Sequence, residues 1–216
     1  MKLLMENWRK FLILEAAKGP DDLPDDVYVR VSVSQTQIEA VYVDKNNKSF
    51  DSPQEDRMGD EDYDPHPEGF YGYVWASQVE DLGPCHGAYM IGGSAATQGY
   101  GPMLYDIAME LAGSKGLMPD RNTLSSSAYK VWEYYLKNRS DVTAKQLDDL
   151  EDTLTADEED NCTANSAAKH SKLIKYSPIK SLKKRGMINS PVMKVYVKNN
   201  TDTVKQLKSL GKLIKD

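Results

Sequence analysis

Residues 96–112 read ATQGYGPMLYDIAMELA, placing Gly99, Gly101 and Pro102 directly ahead of an apolar helical repeat. Met103, Leu104, Ile107, Ala108, Leu111 and Ala112 follow the 3-4 spacing of a helix with one apolar face. Glycine inside a helix costs about 1 kcal/mol, but at a helix entrance it lets the backbone approach another group closely. Proline suits the first helical position, where its missing N–H would have been unpaired anyway. Free amides and the positive end of the helix dipole converge there, so the chemistry this spacing favours is the binding of an anion. The same residues also read as a tight strand-to-helix turn that holds no ligand. Other reactive side chains are scattered. Cys85, Cys162, His66, His86 and His170 match no metal-ligand spacing, and no metal is expected. Cys85 and His86 are sequence neighbours, which is not how a nucleophile and its base usually meet. Two distant cysteines without pairing logic point to a reducing compartment.

The elements around the glycine turn follow from hydrophobic patterning. VYVRVSVSQTQIEAVYVD alternates as two strands, about 27–34 and 37–43, joined by a tight polar turn. FYGYVWASQV (about 70–79) reads as a third strand and HGAYMIGG (about 86–92) as a fourth. A helix over 101–114 and a second from Ser125 to about Asn138 come next. SDVTAKQLDDLEDTLTADEEDN begins as a short helix and becomes an acidic surface stretch. KLIKYSP and SPVMKVYVKN read as late strands, with a closing basic helix near 201–215. Four strands without intervening helices disfavour a doubly wound fold. The predicted class is α/β of the α+β kind, a mixed, mostly antiparallel central sheet flanked by helices.

A strand feeding a glycine turn and helix in mid-chain resembles the GNAT family of N-acetyltransferases. That family carries [QR]-x-x-G-x-[GA] at this turn, whose amides hold the pyrophosphate of acetyl-coenzyme A (acetyl-CoA), and Gly99-Tyr100-Gly101 fits its glycine part. SSSAYKVWEYY is similar to the family's second signature, N-x-x-A with a following aromatic, Ser125 standing at the asparagine place and Ala128 at the alanine place. The likeness spans roughly residues 27 to 140, and GYGPMLYDIAME…PDR…S..A..VW.YY is similar to a GNAT-like group of phage genomes. It implies an N-acyltransferase using acetyl-CoA as co-substrate. Contacts would come from Met90 and Ile91 on the fourth strand, from Gln98, Gly99, Tyr100, Gly101 and Met103 at the turn, and from Ser125 and Ala128. An amine, on a host protein in one version, would attack the thioester directly while a carboxylate or water takes its proton. Asp120, Glu80 and Asp81 lie near predicted strand ends and are candidates; Asp120-Arg121 also reads as a structural ion pair at a turn. The chain departs from the family at three places. Ala96 replaces Gln or Arg, Pro102 removes an amide, and Trp132 stands where many members have the tyrosine that protonates the thiolate. Tyr134 and Tyr135 are the nearby substitutes, since an indole cannot supply that proton.

Charge divides the chain unevenly. Net charge is −6, yet residues 169–216 hold 13 Lys or Arg against Asp202 and Asp216. Such a basic region reads as a solvated face, as a patch docking on the acidic part of the chain, or as a nucleic-acid contact. It has only Tyr176 and Tyr196 to stack on bases. The acidic stretch 51–68 lacks calcium-loop spacing and reads as a solvated loop. MKLLMENWRKFLILE (1–15) reads as an amphipathic helix, GPDDLPDD within 16–26 as a linker, and 27–216 as a single domain. Ile13-Leu14-Glu15 followed by Ala16 is similar to the site cut by prohead proteases of myovirus-type phages, and 1–15 resembles their capsid-targeting segments. That resemblance implies a capsid scaffold or prohead protease as partner, a virion or host-cytoplasm location, and, as the other reading, a non-catalytic head protein reusing the fold. An ordinary amphipathic helix packing on the domain or a partner fits the same residues. With no run of 18 apolar residues, no membrane span is expected.

Overall fold

The computed structural model describes residues 17–46, 48, 71–79, 87–97, 99–120, 124, 126–149, 161–162 and 190–215. Alternation makes the first strands. In β1 (Val27–Val33) Val27, Val29 and Val31 point to the core, and in β2 (Gln37–Asp44) Ile38, Ala40 and Tyr42 do the same. The two pair in register from Val27↔Asp44 to Val33↔Ile38. The Ser34 amide closes their turn on the Gln37 carbonyl at 2.9 Å, and the Ser34 hydroxyl accepts the Gln37 amide at 3.0 Å. Strands β3 (Gly72–Gln78) and β4 (Tyr89–Ala96) continue the antiparallel sheet. The fourth strand outlasts its expected end near Ile91, because Gly93, Ser94, Ala95 and Ala96 pair with β3 although their types carry little strand preference.

Helix α1 (Gly101–Ala112) buries Met103, Leu104, Tyr105, Ile107, Ala108, Met109 and Ala112 against the sheet. Gly113 (φ +58°) and Gly116 (φ +80°) then turn the chain into β5 (Leu117–Met118), parallel to β4. Gly116 is required where it sits, since a Cβ there would lie 3.1 Å from the Tyr196 carbonyl as well as inside Val195. Helix α2 (Ser126–Asn138) precedes β6 (Val142–Gln146). Here the expected short helix is a strand. All five of its residues pair antiparallel with β9 (Lys194–Lys198), so pairing with a partner some fifty residues away overrides local helix preference. Two-residue strands β7 (Asp148–Asp149) and β8 (Asn161–Cys162) form a separate parallel pair.

The closing helix is also shorter than expected. Helix α3 (Asp202–Ser209) ends at Gly211 (φ +68°), and β10 (Leu213–Lys215) pairs parallel with β1. A left-handed glycine breaks the helix ahead of Leu213 and Ile214, so the expected span to 215 is cut short. The main sheet runs β10-β1-β2-β3-β4-β5-β9-β6, mixed and mostly antiparallel, with helices against it, as the sequence predicts. From residue 17 on, the expected linker is anchored. The Lys18 amide donates to the Gly99 carbonyl at 2.9 Å, Leu23 is buried, Asp21 accepts a bond from Gln206, and Lys212 donates to the Pro24 carbonyl. Residues 1–15 and 51–68, KLIKYSP, and 169–189 of the basic region lie outside the described residues. Among the described residues no helix is long and apolar enough to cross a membrane.

Candidate active site

The glycine turn forms at the end of β4. Gly99 has φ +91°, a conformation that favours glycine, and the Tyr100 amide donates to the Thr97 carbonyl at 3.0 Å. Gly101 is the first helical residue and Pro102 the second, one place later than the sequence suggests. Tyr100's amide is occupied and Pro102 has none, so Gly101 and Met103 carry the first-turn amides left for an external acceptor. From below, the Tyr42 hydroxyl donates to the Tyr100 carbonyl at 2.8 Å within the core. The Tyr100 ring packs edge-on against Tyr42 (5.6 Å between centroids) and Tyr71 (4.9 Å). Burial, then the neighbouring Tyr100, holds the Tyr42 hydroxyl well above its ordinary pKa, so it stays a donor. Lys18 brings its ammonium 5.4 Å from the Tyr100 ring centre.

Beside the turn the sheet opens. Strands β4 and β5 share two rungs, Tyr89↔Leu117 and Met90↔Met118, and beyond them no strand among the described residues pairs with β4 on that side. In the same stretch the β3–β4 register shifts between Trp75 and Ala76, so Trp75 faces Gly93, Ala76 faces Ile91, and Gly92 is the extra residue of a bulge. The Ser94 and Tyr105 hydroxyls, 2.8 Å apart, tie the far part of β4 to α1. Both parallel strands run towards the turn, so gap and turn lie at one end of the sheet.

Among the predicted site residues, Met90 is half-buried, while Ile91 and Met103 belong to the core. Gly99, Tyr100 and Gly101 form the turn, and Ala128 lies half-buried on α2. Asp120 follows β5 by two residues, placing it in register terms across the gap from Gly92. Gln98, Ser125, Glu80 and Asp81 lie outside the described residues, as do Cys85, His66, His86 and His170. Tyr135 is brought to the turn but not as a free acid. It is 1% exposed, and its hydroxyl lies 3.0 Å from the Pro102 carbonyl and 2.8 Å from Asp106 Oδ1. Burial, followed by the charge of Asp106, raises its pKa well above the ordinary phenol value. This hydroxyl positions the first turn of α1. Tyr134, half-buried beside it with ring centroids 5.8 Å apart, has its pKa raised mainly by burial, with Arg139 opposing. Trp132 is wholly buried against Tyr196 (4.7 Å) and Tyr105 (5.3 Å), a packing role.

Charged groups brace the helices around this end. Arg139 reaches Asp106 with Nη1 at 3.0 Å and Asp141 with Nη2 at 2.6 Å. Burial raises the Asp106 pKa against the opposing pull of Arg139, whereas the Arg139 hydrogen bond lowers that of Asp141. At the far end of α1, Glu110 is buried with Lys198 and accepts the amides of Thr203 at 2.9 Å and Val204 at 2.8 Å. Glu110 therefore caps α3 in place of a residue of that helix. Lys198, counted in the basic region, has its charge inside the protein rather than on a surface. Sequence reading missed Gly92 and Gly93. The signal was the GlyGly pair immediately after the buried strand residue Ile91, where bulges and close approaches occur. Comparison with protein-family models, with curated proteins and with solved structures found no match.

Proposed function

We propose that this chain is an acyl-CoA-dependent N-acyltransferase that moves an acetyl group from acetyl-CoA to an amine. The observation that carries the reading is the coincidence, at one end of the sheet, of the β4–β5 gap, the Gly92 bulge and the glycine turn opening α1. A bulge leaves a backbone group unpaired by the neighbouring strand, and here it stands at the lip of the gap. In this reading the amides of Gly101 and Met103 take a pyrophosphate oxygen, with Lys18 adding positive charge from the preceding segment. The bulged backbone of Gly92 donates to the thioester carbonyl, where negative charge develops during attack. The acceptor nitrogen forms the new C–N bond as the C–S bond breaks. Its surplus proton passes to Asp120 directly or through water, and Tyr134 protonates the leaving thiolate. Holding both reactants in the gap supplies much of the acceleration.

Gly101 offers a clean test. Its φ is not positive, and a Cβ there would meet only the Ala96 Cβ at 3.5 Å, an ordinary contact. Gly101→Val is therefore expected to fold while blocking close approach of a phosphate. Calorimetry should show acetyl-CoA binding weakened at least about tenfold, or about 1.4 kcal/mol. Unchanged affinity removes the site from this turn. Gly99→Val serves less well, because its positive φ strains any side chain.

A second reading, packaging in a phage head, draws on one structural observation. The described anchors of the N-terminal stretch begin at Lys18, three residues beyond Glu15, so a cut after Glu15 removes none of them. Chains recovered from purified particles should then begin at Ala16 by mass spectrometry; full-length chains there, or none, defeat that reading.

A further inference from the structure

A hydroxyl pair beside the β4–β5 gap fixes the direction of one proton. Ser94 pairs with Val74 across β3 and β4, and paired residues share a face, so its side chain points with Val74 towards α1. Its Oγ lies 2.8 Å from the Tyr105 hydroxyl on that helix. Tyr105 is 5% exposed, and Ser94 is its one hydrogen-bond partner through the hydroxyl among the described residues. Burial raises the Tyr105 pKa against the pull of that hydrogen bond, so the phenol keeps its proton. Each hydroxyl has one proton to give. Were Ser94 the donor, the Tyr105 proton would be left in the core without an acceptor, at the full cost of desolvating it. Tyr105 therefore donates and Ser94 accepts, which leaves the Ser94 proton over. Unlike its partner, Ser94 is exposed. Helix α1 covers the face to which it points and β3 flanks it on one side. The exposure thus comes from the β5 side, where no strand among the described residues pairs with this part of β4.

We propose that the Ser94 hydroxyl is an oriented hydrogen-bond donor to an amide carbonyl of a thioester arm lying in the β4–β5 gap. The proposal rests on the acyltransferase reading, in which Gly92 holds the thioester carbonyl and the glycine turn holds the pyrophosphate. Ser94 stands between the two, about 6–7 Å along the strand from Gly92. That is too far to touch the reacting carbon, and it matches the remove of the first amide along an extended arm. A neutral donor with a single proton suits a neutral carbonyl, and the phosphates belong further on, at the turn. Because Tyr105 occupies a lone pair of Ser94, the remaining proton is aimed outwards before any ligand arrives, which reduces the ordering cost of binding. Ser94 sets the donor substrate along β4 in step with the bulge and takes no part in bond making.

Calorimetry on the full chain with acetyl-CoA and with 3′-phospho-ADP, its nucleotide end without the arm, separates this contact from the turn. Ser94→Ala is expected to weaken acetyl-CoA binding about three- to tenfold, the worth of one neutral hydrogen bond, and to leave the nucleotide unchanged. Ser94→Ala also strands the Tyr105 hydroxyl, so the double variant Ser94→Ala/Tyr105→Phe removes both groups together and should show the same selective loss. Tyr105→Phe alone keeps the Ser94 proton and should stay within about twofold of the parent. A parent that binds acetyl-CoA no better than Ser94→Ala and the double variant overturns the Ser94 contact and leaves the acyltransferase reading standing. An equal loss for the nucleotide also overturns it, since the substitutions then act on the turn. Selective loss without turnover of any amine leaves the contact standing and removes acyl transfer. A parent that binds no acetyl-CoA removes both.

Discussion

Replacing Glu110 with alanine is expected to lower the free energy of unfolding by about 3–5 kcal/mol, because it strands a buried cation. The side chains of Lys198 and Glu110 are 3% and 1% exposed, so little solvent is at hand to take over the ammonium's lost partner. Among the described residues Thr203 Oγ1, at 3.0 Å from Lys198 Nζ, is the remaining hydrogen-bond partner, while Asp106 and Asp141 act on the ammonium only from further off. The same substitution strips two amides from the start of α3, adding the loss of a cap. The double variant Glu110→Leu/Lys198→Met separates these effects. With no charge left to desolvate, it should lose only about 1–2 kcal/mol, the share belonging to the uncapped amides. Urea unfolding of the three proteins measures both values. A single variant within about 1 kcal/mol of the parent would show that the pair contributes little to holding α1 against α3.

Gly72→Ala is the second large effect, at about 2–4 kcal/mol. Gly72 has φ +138°, and a Cβ there would lie 2.6 Å from the Ala95 carbonyl and 2.7 Å from the Ala96 Cα. Those neighbours are backbone and cannot rotate away. The end of β4 must shift, and it leads straight into the glycine turn through the Thr97 amide, which donates to the Tyr71 carbonyl at 3.1 Å. Gly211→Ala is the control: φ is +68° there, but nothing lies within 4 Å of the added carbon. It should cost about 1 kcal/mol from backbone strain alone. Equal losses in the two variants would show that the close approach of β3 to Ala95 and Ala96 is not tight. Acetyl-CoA binding, measured alongside, should weaken in Gly72→Ala and remain unchanged in Gly211→Ala.

What the sequence by itself determined were the features written in short range. The alternation of Val27, Val29 and Val31 names a half-buried strand without reference to any other part of the chain. Gly99 and Gly101 ahead of a 3.6-residue repeat mark the turn and α1, and both stand where they were expected. The mixed, mostly antiparallel class followed from four strands in succession. Tertiary structure decided the rest, because it depends on partners far away in the chain. VTAKQ became β6 only because β9 offered it a free edge, and Leu213–Lys215 became β10 only because β1 did. Tyr135 and Tyr134 look equivalent in sequence. Helical rotation sent the first into the core against Asp106 and left the second half-exposed. Glu110 reads as a polar residue in an apolar helix, and its reason for being there sits 88 residues away in Lys198. Trp75 reads as one more apolar strand residue, until the bulge at Gly92 turns two glycines towards it and its ring settles over them. Backbone periodicity is a local property set by side-chain size and polarity. Which charges are buried, which hydroxyls are occupied and which rings stay open depends on pairing register, and register exists only once the strands have met.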